Sequence, residues 1–143
     1  NTSYTFYSNV YSDSACSTGS MTFRYTYTLA VGSDATMADG STTATKVTMT
    51  LVGVYLTLKT DTLVASNNTG SLCSATDWTK DVEKDVTSKY TEDTCLDSDD
   101  AIGTVYKDVI KIVGTDLGWG TGTSDKDSEG YPTVLEDSGF DKQ

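Results

Sequence analysis

Apolar and polar residues alternate strictly from Met21 to Val31. Met21, Phe23, Tyr25, Tyr27, Leu29 and Val31 share one parity, and Thr22, Arg24, Thr26 and Thr28 take the other. Eleven residues of period two predict a strand. The run Thr45 to Lys59 is equally rich in β-formers but changes phase: Val47, Met49 and Leu51 share one parity, and Val52, Val54, Leu56 and Leu58 the other. A bulge near Gly53 would re-aim such a strand without ending it. Tyr4 to Tyr11 predicts a further strand with aromatic residues on both parities. Such a strand is either covered on both faces or lies at an intermolecular contact. Ile102 to Val113 and Leu117 to Trp119 predict a late hairpin turning at Gly114-Thr115-Asp116, and Thr133 to Leu135 offers a closing strand. Asp61 to Ser66 reads as a short helical turn. Trp78, Val82, Val86 and Tyr90 fall at helical spacing, but the Thr, Val and Asp between them weaken a helix, and a loop tied by a disulfide is the stronger reading. The expectation is a single domain over residues 1–143, all-β and antiparallel. A barrel, complete or incomplete, is favoured over a sandwich because fifteen residues is long for a sandwich strand.

Composition supports that picture and narrows the chemistry. Thr supplies 26 of 143 residues, Ser 16, Tyr nine, Pro one and His none. Without His there is no Ser-His-Asp or Cys-His nucleophile system, no His-ligated zinc and no imidazole switch. A net charge of −11 argues against nucleic acid, which needs a basic face. No apolar run approaches the ~20 residues of a membrane helix, so the chain is not expected to span one by a helix. Charge is uneven: residues 1–75 hold four acids and three bases, and residues 76–143 hold seventeen acids and seven bases, which places acidic loops in the second half. Residue 1 is Asn, and no apolar signal segment follows, so a mature exported chain is expected. Asn1-Thr2-Ser3 and Asn67-Asn68-Thr69 fit the N-glycosylation pattern, a short match in a Ser/Thr-rich chain.

Three cysteines suit an oxidising compartment, and the odd count leaves one over. Cys73 and Cys95 bracket a polar stretch, and a bridge between them would stabilise by roughly 3 kcal/mol on the loop-entropy account. Cys16 is then either a buried free thiol or the donor of a bond to another segment or chain. Three stretches, Tyr11-Ser12-Asp13-Ser14-Ala15-Cys16, Cys73 through Asp77-Trp78 to Lys84-Asp85-Val86-Thr87, and Tyr131-Pro132-Thr133-Val134-Leu135-Glu136, resemble bacterial secreted and lipoprotein-like domains with a lipocalin-like, calycin-type barrel. The resemblance implies a barrel that folds in the envelope or outside the cell, with no established reaction. It also implies a further Cys-bearing strand before the equivalent of Tyr4, which this sequence lacks.

Asp125-Lys126-Asp127-Ser128-Glu129-Gly130, with Tyr131 next and Glu136 at the twelfth position, matches a calcium loop except at Glu129. Calcium is therefore the one candidate cofactor, through Asp125, Asp127, Glu129, Tyr131 and Glu136. Against it stand Pro132 within the loop, the lack of flanking amphipathic helices, and the plainer reading of a solvated acidic loop. Asp97, Asp99 and Asp100 form a second acidic cluster with the same plain reading. Paired carboxylates could hydrolyse glycosides, but so many acids make chance pairs inevitable, and no enzymatic activity is expected. Trp78 and Trp119, with Tyr25 and Tyr27, either fill core or line a ligand cavity.

Two functions follow. The first is a secreted or cell-surface structural or adhesive subunit that pairs with itself through a strand edge formed by Tyr4, Phe6, Tyr7, Val10 and Tyr11. Head-to-tail completion of that edge would yield a homo-oligomer or a filament. The alternative is a lipocalin-like carrier of a small apolar ligand. Internal closure of the edge by Thr133 to Phe140 would favour the carrier.

Overall fold

The structure is a computed structural model and describes residues 2–95, 100–114, 116–122 and 125–136. Six strands form one sheet: β1 (Thr2–Tyr11), β2 (Gly19–Thr36), β3 (Thr43–Leu58), β4 (Glu83–Asp85), β5 (Val105–Val113) and β6 (Asp116–Trp119). The order is β1-β2-β3-β5-β6, with β4 pairing β3 beside that path. The fold is therefore all-β and antiparallel. A sandwich needs two packed sheets, and a single sheet is found among the described residues. The chain falls into two compact units, one drawn from Asn1–Thr2, Leu29–Met49 and Val105–Gln143, the other from Ser3–Thr28 and Thr50–Thr104.

In the first unit β5 and β6 form a tight hairpin, with Val113 opposite Asp116 and Gly114 at φ 63°. Thr115, in the expected turn, lies outside the described residues. The expected closing strand reduces to a single bridge, Gly120 to Leu135. On one side Thr121 N donates to Val134 O and Glu136 N to Trp119 O. On the other, Ala38 N donates to Thr133 O just past β2. Backbone bonds thus complete a ring through β2, β3, β5, β6 and residues 133–136, the barrel-like element of the fold. Met37, Ala44 and Val109 are buried inside it, with Ala35, Tyr131 and Leu135 packed against them. The apolar parity of β2 fails at its far end, because Val31 is 63% exposed.

In the second unit β3 changes phase near Gly53 as its pattern predicts, except that Val52, expected to share the face of Val54, is exposed because the switch falls after it. Leu51 is buried, Val52 exposed, and Val54, Leu56 and Leu58 are buried again. Gly53 marks the switch, and a Cβ there would stand 2.5 Å from Thr26 Oγ1 and 3.0 Å from the Tyr55 ring. The short turn expected at 61–66 extends to a ten-residue helix, α1 (Asp61–Gly70), whose cap Thr60 accepts from Leu63 N. Asn67 donates its side-chain amide to Leu63 O within this helix, and Asn1 lies outside the described residues. No α-helix forms over Trp78 to Tyr90, where the helical conformation is limited to a three-residue 3-10 turn, Thr87–Lys89. Instead Asp81 N donates to Leu58 O and Val86 N to Val54 O, so the segment spends its backbone on β3. Trp78, Val86 and Tyr90 are still buried, while Val82 is exposed. Cys73 and Cys95 are bridged across this loop. The bond shortens the unfolded chain's freedom by a 22-residue separation, worth roughly 3 kcal/mol.

Candidate functional site

Among the described residues β1 ends the sheet, with β2 as its neighbour in the strand order; of the segment Thr133 to Phe140 expected to close this edge, residues 137–140 lie outside the described residues. Ring contacts fix its faces: Tyr4 lies 5.9 Å from Tyr27 and Phe6 lies 6.0 Å from Tyr25. Tyr4, Phe6 and Val10 therefore share the face of Tyr27, Tyr25 and Phe23, while Tyr7 and Tyr11 point to the other side. Tyr25 also meets Tyr90 edge-on, and burial together with Tyr90 pushes its phenol up to about 12. Tyr7 is 58% exposed and Phe6 46%, and Val10 and Tyr11 are exposed as well. Ten successive residues of β1 carry no charge in a chain of net −11. Edge strands are ordinarily blunted by Lys, Glu, Pro or brevity. β4 follows that rule with three residues, Glu-Lys-Asp, whereas β1 does not. Behind β4, Glu83 holds Arg24 by two bonds of 2.6 and 2.8 Å, and the guanidinium lies 3.7 Å over the Tyr55 ring.

The loop after β1 is organised by one carboxylate. Asp13 Oδ1 accepts from Ala15 N, Ser17 N and Ser17 Oγ, and Oδ2 from Thr18 N at 2.7 Å. The Ser17 and Thr18 amides hold this carboxyl down at about 2. Cys16 sits on this loop at φ 53° with a free thiol, and is exposed rather than buried as one reading expected, because the loop turns outside the sheet. Composition flagged Cys16 but gave no sign of the Asp13 cage. A short polar side chain followed by Ser and Thr was its only signal.

The acidic loop of residues 125–136 packs around the Lys46 ammonium. Lys46 Nζ lies 2.7 Å from both Asp127 Oδ2 and Glu129 Oε2, and 4.7 Å over the Tyr131 ring. Asp127 Oδ1 accepts from Glu129 N and Tyr131 N. Lys46 first and these amides next hold the Asp127 carboxyl at about 2. Asp125 turns its backbone carbonyl to Thr133, and Tyr131 shares a hydrogen bond with Thr48. Glu136 lines a separate pocket. No group of three or more Asp, Glu or Cys side chains placed to hold a metal is found among the described residues. The spacing within 125–136 could not reveal Lys46, which arrives from β3. Asp97 and Asp99 lie outside the described residues.

The expected cavity residues Trp78, Tyr25 and Tyr27 lie in the second unit and Trp119 in the first. Trp78 is core: it is 3% exposed and its indole N–H donates to Leu72 O. Trp119 is half-buried on β6, and Tyr25 and Tyr27 are half-buried on β2. Two pockets in the first unit are lined by other residues. One, of about 250 Å³, lies between Met37, Asp39 and residues 133–136. The second, about 340 Å³, lies over Val31, Ala44 and Ile110 to Ile112. No family model matches the chain, and no curated protein matches it. The lipocalin-like resemblance therefore stands only at the level of an all-β, antiparallel fold.

Proposed function

We propose that this chain is a non-enzymatic structural or adhesive subunit of the cell exterior that associates with itself through the outer edge of β1. One observation carries the reading: a ten-residue terminal strand without a single charge, with large apolar side chains exposed on both faces. Unpaired edge N–H and C=O groups template another strand, and covering the aromatic faces adds burial at roughly 25 cal/mol per Å². The Cys73–Cys95 bridge agrees with an oxidising compartment, and no helix among the described residues is long and apolar enough to cross a membrane.

The carrier reading draws on the half-buried face of Phe23, Tyr25 and Tyr27. Sedimentation equilibrium from micromolar to millimolar protein separates the two. A concentration-dependent rise in mass that Tyr7→Lys weakens supports the subunit. A monomer throughout that takes up a fluorescent fatty acid would replace it with the carrier.

A further inference from the structure

Resting on that reading, we infer that the strand covering β1 is β1 of a second copy, antiparallel about a two-fold axis. The other sheet ends offer no equal partner. β4 is three residues long and fully charged. β6 has four residues, and at its Trp119 end it already accepts from Glu136 N. Among the described residues β1 is the one long terminal strand.

Charge selects the same pairing. Two copies of net −11 repel wherever their acids approach, and the repulsion is least where neither surface bears a charge. Residues 2–11 form such a surface.

The register then follows from strand geometry. Along an edge only alternate residues direct N–H and C=O outward, so an edge meeting its own copy must oppose residues of equal parity. Equal parity keeps Phe6 and Val10 of both copies on one face and Tyr7 and Tyr11 on the other. The apolar stripes then continue across the axis instead of meeting the wrong side. The axis falls near Phe6 to Ser8, the middle of the strand.

The same geometry separates the two Cys16 thiols. Each lies beyond the Tyr11 end of its strand, and the strands run oppositely. At ~3.4 Å per residue the thiols stand roughly 30 Å or more apart, far beyond disulfide reach. This contact is therefore closed, and it survives reduction.

The experiment uses the full chain carrying Cys16→Ser, with a single Cys placed in turn at Thr5, Phe6, Tyr7, Ser8 and Asn9. A short thiol-reactive cross-linker should give covalent dimer at one position, falling off on both sides. Directly opposed Cβ atoms lie ~5 Å apart, and each step away adds about two residue rises to the separation. Tyr7→Lys, which sets like charges near the axis, should raise the dimer Kd roughly tenfold or more. Association that persists with no cross-link at any of the five positions would overturn the inference and leave the proposed function standing. Absence of association at every concentration would overturn both.

Discussion

Asp13, Asp39 and Asp127 each tie a loop by accepting backbone N–H groups, and each carboxyl is held at about 2. The leading causes differ: the Ser17 amide for Asp13, the Thr42 hydroxyl for Asp39 and the Lys46 ammonium for Asp127. In the unfolded chain these groups protonate near 3.8, so each contributes stability that is present above that value and lost as pH falls towards 2. Asp108 acts with the opposite sign, because burial raises it and its charged form costs stability that acid relieves. Three groups outweigh one. The melting temperature should hold level above pH ~5 and fall steeply between pH 4 and 2. Calorimetry across that range checks it, and a rise there would contradict the assignment. These loops also mark the limit of what could be read from residues in order. Asp125, Asp127, Glu129 and Glu136 carry the spacing of a calcium loop, yet spacing cannot show which distant side chain arrives. Here Lys46 arrives from β3 and takes the carboxylates.

Among the elements, β3 was the most legible, since its phase change at Gly53 is written in the order of its apolar residues. The reason for glycine was not, because Thr26 and Tyr55 converge on it only in the folded sheet. Gly53→Ala should cost about 1–3 kcal/mol, the usual penalty of forcing a methyl into packed surroundings. Adding Thr26→Ala should recover part of that, since Thr26 Oγ1 is the nearest obstacle at 2.5 Å. Urea titrations of both variants read the difference, and an unchanged midpoint for Gly53→Ala would show that the crowding is not real. The segment from Trp78 to Tyr90 was harder to read. Its apolar residues keep helical spacing because three of the four are buried, but Val86 N donates to Val54 O on β3 and Trp78 N to the Asn68 side chain instead of along a helix. Burial of scattered residues on an irregular segment can imitate a helix when seen only as a pattern. The pattern at Thr133 to Leu135 predicts a closing strand, and among the described residues Pro132 and the acidic turn before it leave a bridge at Leu135.

For the whole molecule the dominant quantity is the net charge of −11. Copies repel at long range even when the contact strand is neutral, so salt should strengthen association by screening. Between 0.02 and 0.5 M sodium chloride the dimer Kd is expected to fall, by roughly tenfold on ordinary screening of surface charge. Weakening by salt would mean that the contact is built from ion pairs, and β1 has none to give. The fold class and the odd edge strand were legible in the sequence because both are matters of pattern. Which sheet end was closed was not legible, because closure rests on a few backbone bonds between segments far apart in the chain. That distance bears on how the protein is made. The β1–β2 hairpin joins neighbours and can form early, whereas the bond from Ala38 to Thr133 waits until residue 133 has been made. During that interval the neutral, aromatic edge is already formed while the ring is unfinished, so nascent chains are most prone to pair with the wrong strand during synthesis, before the ring is complete.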